Sequence, residues 1–207
     1  MNIHNLYLPN HHSASDWDIS STDWTIATDQ YISPPSSFKM PTLGEAPNIH
    51  LLCKHTSALQ LPYGRLITYH RFKSSETTMR IDFRNTAPPG SVNFNNCYQV
   101  TAVTNAIQWT LREYLAGVQQ RLWNRSKIPL SPDTWYRYRL SWWWDWDVLN
   151  LSFDIWLDGA WQQQGDIISI PNDLFVIETY QRVGIQSSAG NFYDYIWFDD
   201  TEIWEVV

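Results

Sequence analysis

The chain has 207 residues, 17% of them charged, a formal net charge of −7, and an aromatic content that includes 13 Trp and 11 Tyr. That charge excludes nucleic acid and anionic membrane surfaces as expected partners, because both select Lys/Arg clusters. No run approaches the roughly 18 apolar residues of a membrane-spanning helix, so membrane insertion is not expected, and the length suits one undivided β domain.

The opening, MNIHNLYLPNHHSASDWD, lacks the basic and apolar regions of a signal peptide. His4, His11 and His12 cluster in this polar stretch. Residues 1–15 are read as an N-terminal arm, flexible or docking to an assembly, ahead of a single domain over 16–207. Asp16-Trp17-Asp18 and Trp24 to Ala27 are expected as short opening strands. Pro34-Pro35 forces an extended or turn conformation, and Ser36 to Met40 resumes a strand. Asn48 to Lys54 is the next strand, and the Pro and Gly of Leu59 to Gly64 mark a turn.

Arg65 to Lys73 alternates, with Leu66, Thr68, His70 and Phe72 on one face and Ile67, Tyr69 and Arg71 on the other. Thr78 to Arg84 sets Met79, Ile81 and Phe83 against Arg80, Asp82 and Arg84, and Asn85 to Gly90 is a loop. Cys97 to Val103, Ala106 to Arg112 and Val118 to Trp123 read as strands, followed by a Pro-containing connector over Ser126 to Asp133. Cys53 and Cys97 are too few for a disulfide scaffold. Two buried free thiols are the default, with a bridge between them as the alternative.

The most informative stretch is Trp135 to Gly159, WYRYRLSWWWDWDVLNLSFDIWLDG. Tyr136, Tyr138, Leu140, Trp142 and Trp144 fall at period two, as do Leu149, Leu151, Phe153, Ile155 and Leu157, with a reversal at Asp145-Trp146-Asp147. If both apolar rows share a face, parity sets the register. Arg139 then meets Asp154, Arg137 meets Trp156, Ser141 meets Ser152 and Trp143 meets Asn150, all on the opposite face. Indoles flanked by guanidinium, carboxylate and amide groups suit a sugar: C–H faces pack on the rings and fixed polar groups take the hydroxyls. A covering loop or a neighbouring subunit is the alternative use of that face. After Gly159 come a short edge strand, Trp161 to Gln164, and a loop. A helical turn over Asn172 to Glu178 and strands over Gln181 to Gln186 and Ile196 to Val206 complete the chain.

About a dozen short strands at intervals of roughly ten residues predict an all-β fold of two antiparallel sheets packed face to face. Arg182-Val183-Gly184-Ile185-Gln186, followed by Ile196-Trp197-Phe198-Asp199-Asp200-Thr201-Glu202-Ile203-Trp204, resembles the C-terminal region of the concanavalin A-like lectin/glucanase superfamily. Trp135 to Arg139, leading through the hairpin to Ile155-Trp156-Leu157-Asp158-Gly159, and the Ser33 to Lys39 stretch are similar to it as well. The resemblance implies a two-sheet jelly-roll β-sandwich.

The resemblance also implies a structural Ca²⁺ at the start of the last strand. Asp199 matches that position, with Asp16 or Asp18 as the early partner; hard oxygen ligands from distant segments are what Ca²⁺ takes. Carboxylates on a solvated strand end are the alternative. The glucanase members carry a Glu-x-Asp-x-x-Glu string for the paired carboxylates of glycoside hydrolysis, about 5 Å or about 6.5–9.5 Å apart. That string is missing here, and Asp154 with Asp158, or Asp200 with Glu202, are poor substitutes. A polysaccharide lyase needs Arg, Gln or His and a Tyr base in one cleft. Arg80, Arg84, His70, Gln108 and Tyr138 are present, but no spacing unites them.

The expectation is therefore a non-catalytic lectin-like domain. It binds a polysaccharide or cell-surface glycan through Trp143, Trp156, Arg137, Arg139, Asp154 and Asn150, or mediates adhesion. Without an export signal, and with a surplus of Trp beyond what a lone monomer should expose, an assembly is the expected setting: a homo-oligomer, a virion surface or phage tail, or an extracellular location. A purely structural decoration subunit is the alternative.

Overall fold

The computed structural model describes residues 3–7, 18–19, 25–34, 36–41, 49–53, 59–60, 63–73, 78–86, 96–103, 108–171, 178–186 and 195–206. These residues form strands and turns, with no helix among them. In the first sheet β14 (Ala160–Gln163), β13 (Val148–Leu157), β12 (Trp135–Asp145), β7 (Gly64–Phe72), β17 (Tyr195–Val206), β4 (Ser37–Pro41) and β3 (Thr25–Ala27) lie side by side. There β1 (Ile3–Tyr7) also pairs with β17, and β15 (Ile168–Pro171) with β13.

The second sheet runs β11 (Val118–Ser126), β10 (Gln108–Leu115), β9 (Cys97–Val103), β8 (Thr78–Asn85), β16 (Glu178–Gln186), β5 (Ile49–Cys53) and β2 (Asp18–Ile19), with β6 (Leu59–Gln60) beside β16. Pairing is antiparallel throughout the described strands. The chain therefore folds as an all-β, two-sheet antiparallel sandwich.

Alternation explains the core. The even-numbered side chains Tyr138, Leu140 and Trp142 of β12 and the odd-numbered Leu149, Leu151, Phe153 and Ile155 of β13 are buried on one face. From the facing sheet come Met79, Ile81, Phe83, Tyr98, Val100, Trp109, Leu111 and Val183. The sheets meet through rings: Phe83 lies 5.5 Å from Trp142, and Trp109 lies 5.2 Å from Phe153. The Trp109 indole N–H also donates to the Gln164 carbonyl, which ties the second sheet to the segment after β14.

Turn chemistry fits the hairpins. Ala116-Gly117 and Asp158-Gly159 each hold both central residues at positive φ (49° and 79°, 52° and 79°), as tight two-residue β-turns that match strand twist require. The β12–β13 reversal instead carries Trp146 at φ 60°, a bulky residue where glycine is favoured.

Several expectations change. Part of the expected N-terminal arm is strand β1, and the turn before Gly64 contains β6. The loop after the edge strand contains β15, in which Ile168 and Ile170 face the core. Of the expected helical turn, residues 172–177 lie outside the described residues, and Glu178 already belongs to β16. A Cys53–Cys97 bridge is excluded by strand order. Three strand-to-strand steps separate β5 from β9, roughly 14 Å, against a limit of about 7 Å between bridged Cα atoms. Cys97 is a buried free thiol.

Candidate functional site

The register of β12 and β13 is the one that parity requires: Arg137 faces Trp156, Arg139 faces Asp154, Ser141 faces Ser152 and Trp143 faces Asn150. These side chains point away from the core, because their neighbours in the strand fill it. On the far side of β12 the face continues through Tyr69 and Arg65 of β7 to Glu202 and Trp204 of β17.

The polar groups are tightly bound to one another. Arg139 Nε donates to Asp154 Oδ2 at 3.1 Å, and Ser152 Oγ donates to the same oxygen at 3.4 Å. Arg137 Nη2 donates to Glu202 Oε1 at 3.1 Å, while the Trp204 indole N–H takes Oε2 at 2.7 Å. Both guanidiniums lie over the ring of Trp161, at 4.4 Å for Arg139 and 5.4 Å for Arg137, and Arg137 also lies 5.3 Å from the Tyr69 ring. Burial, partly offset by Arg137, raises the pKa of Tyr69 above its ordinary value.

Trp161 thus spends its ring on two cations. Trp156 stands edge-on to it at 5.3 Å and remains 40% exposed, so Trp156 has a face to offer. Trp143 is half-buried. Beside it, Asn150 Oδ1 accepts from Ser169 Oγ at 2.6 Å. The two indoles do not form one platform. Their rows lie six residues apart along β12, about 20 Å, so they are separate contact points at the two ends of one polar row.

The metal expectation meets a different arrangement. Asp199 Oδ2 accepts from the backbone N–H groups of Ile32 (2.6 Å) and Ser33 (3.1 Å), and its Oδ1 accepts from Asp200 N–H (2.8 Å). Ser33 Oγ donates to Asp200. Three donors converge on this carboxylate, which pins the 30–33 loop to β17 and does not fit a cation ligand. Burial nevertheless raises its pKa, with the amide donors acting against that shift. The expected partner Asp16 lies outside the described residues, and Asp18 belongs to β2 of the other sheet. Among the described residues no group of three or more His, Cys, Asp or Glu side chains could hold a metal ion.

Other candidates disperse. His70 and Tyr138 face the core, 3.5 Å apart, whereas Arg80 is on the opposite face of its sheet and Gln108 is exposed. Asp158 is a turn residue and Asp154 is held by Arg139, so these carboxylates form no pair across a groove. The expected surplus of exposed indoles is also absent among the described residues. Trp109, Trp142 and Trp197 are buried, and only Trp156 and Trp146 (95%) are exposed.

One row escaped sequence reasoning. On the outer face of the second sheet, Arg182, Asp82, Gln99 and Arg112 lie side by side on β16, β8, β9 and β10. Arg80 grips Asp82 through two 2.6 Å bonds, both side chains fully buried, and Arg112 donates to Gln99 at 3.0 Å. Only the Arg80-x-Asp82 alternation hinted at it.

No family model matches the chain, and no curated protein matches it in sequence. Solved structures do resemble it. The exoplasmic/lumenal domain of VIP36, in a form bound to Ca²⁺ and Man3GlcNAc, is similar with a TM-score of 0.61 at 11% identity, over 99% of this chain and 89% of that one. The legume lectin-like domain from Entamoeba histolytica follows at TM-score 0.58 and 12% identity, over 93% and 91%. A Bacillus licheniformis β-glucanase superposes at 0.57 and 8% identity, over 98% of each chain. With sheet order, register and these likenesses together, the chain has the concanavalin A-like jelly-roll fold.

Proposed function

We propose that this protein is a non-catalytic, lectin-like sandwich that binds an extended glycan along the outer face of β12 and β13. The observation that carries the reading is the pair of outward indoles, Trp156 and Trp143, at opposite ends of a row of preorganised polar groups. Each indole offers a surface for a sugar ring, and Arg139, Asp154, Ser152 and Asn150 between them supply donors and acceptors for hydroxyls. The nearby structures support it in kind, since VIP36 is seen with Man3GlcNAc. Non-catalysis is supported by the carboxylates of this face: Asp154 and Glu202 are each held by an arginine, so neither is placed as a free proton donor. The expectation of an assembly drew in part on a surplus of exposed indoles, which the described residues do not supply, and glycan binding alone is proposed.

The test is a glycan array followed by calorimetry on the intact chain. Trp156→Ala and Trp143→Ala should each weaken binding by roughly tenfold or more while the melting temperature holds. Undiminished affinity in both folded variants, or sugar release from the bound polysaccharide, would overturn the reading.

A further inference from the structure

We infer that the glycan held by this face is acidic and that Arg65 receives its carboxylate. This rests on the glycan-binding reading of the same face and adds the charge of the ligand. Arg65 lies on β7 between Ser141 of β12 and Trp204 of β17 and is half-buried. Its guanidinium makes no hydrogen bond, ion pair or ring contact with any described residue, in contrast to Arg137 and Arg139.

The carboxylates that could serve it are engaged elsewhere, Asp154 with Arg139 and Glu202 with Arg137. Among the described residues, three guanidiniums therefore share two carboxylates on this part of the face. Burial, and then the charge of Arg139, hold the Arg65 pKa below its ordinary value, with the Asp154 charge acting against that shift. A cation withdrawn from water beside a second cation is unfavourable, and the Asp154 carboxylate, already bonded to Arg139, offsets only part of that penalty. An anionic ligand would remove both penalties at once.

The neighbourhood specifies the anion further. Trp143 is the diagonal neighbour of Arg65 across the β7–β12 pair, about 7–8 Å away. Its indole has no stacking partner among the described residues. A pyranose ring on Trp143 can thus turn an exocyclic carboxylate toward Arg65, whose planar fork matches a carboxylate bidentately. The ligand class is a hexuronate-containing oligosaccharide, with the charged unit at the Trp143 end and a further sugar reaching toward Trp156.

The experiment is calorimetric titration of the full chain with oligosaccharides of galacturonate, glucuronate and mannuronate, each as the free acid and as its methyl ester. At least one acid should bind about tenfold more tightly than its ester. That preference should vanish in Arg65→Gln, survive in part in Arg65→Lys, and persist at lower overall affinity in Trp156→Ala. Because Arg65 makes no hydrogen bond or ion pair among the described residues, Arg65→Gln should melt within a few degrees of the wild-type temperature. Equal affinity for acid and ester in the wild type, or a preference that survives Arg65→Gln, would overturn the inference while binding of esters or neutral glycans leaves the glycan reading standing. No binding to acids, esters or a neutral panel overturns both.

Discussion

A Cβ placed on Gly64 would lie 2.1 Å from Cζ2 of Trp142, so the missing side chain is what allows that indole to lie against β7. The two residues are register partners, and the ring has no room to retreat because it is wholly buried against Phe83. Gly64→Ala should lower stability by roughly 1–3 kcal/mol or more, read from urea unfolding midpoints. His70 gives a second residue-scale prediction. It stacks on Phe198 at 4.9 Å, and burial holds its pKa at about 3 against an ordinary 6.5. The folded chain therefore refuses a proton that the unfolded chain takes up below about pH 6.5. Stability from this site is complete above that pH and falls as pH drops toward 3, by up to about 1.4 kcal/mol per unit. Unfolding midpoints across pH 4–7 should show that slope reduced in His70→Phe relative to wild type; parallel profiles would refute it.

The β12–β13 hairpin was legible because both strands alternate and share one buried face, so a single parity argument set every pair from Arg137–Trp156 to Trp143–Asn150. Which strands flank the hairpin was not legible. Arg65 and Trp204 are register partners separated by more than a hundred residues, and nothing local in either segment announces the other. The two arginines over Trp161 are also invisible to periodicity, since reading alternation tells which side a ring is on but not what lies across it. Strand β15 was missed because Ile168 and Ile170 make a pattern too short to separate from a loop. At this scale the turn itself is testable. Trp146 holds φ 60° as the first of two turn residues, with its side chain in solvent. Trp146→Gly should stabilise the hairpin by about 1 kcal/mol, measured by thermal unfolding.

For the molecule as a whole, strand order decides the thiol chemistry. Cys53 and Cys97 lie on strands that are not neighbours, and burial raises the Cys97 pKa well beyond its ordinary value. Two free thiols should alkylate once the chain is denatured without reductant, giving a mass increase of two labels. In a Cys53→Ser protein, Cys97 should resist thiol reagents until global unfolding, because a buried neutral thiol is a poor nucleophile. Labelling of that variant in the native state at the rate of a free thiol would contradict this.

The position of β17 has a further consequence. It lies between β7 and β4 in the first sheet, yet it follows Phe72 in the chain by 123 residues (195 − 72). At a ribosome adding about 5–20 residues per second, the β17-facing edge of β7 waits roughly 6–25 s for its neighbour. Leu66 and Phe72, core side chains of that strand, lie beside an unpaired backbone edge during this interval. Closure of the sandwich is therefore a late event, and until the last strand emerges the open edge of β7 is a template on which another strand could pair.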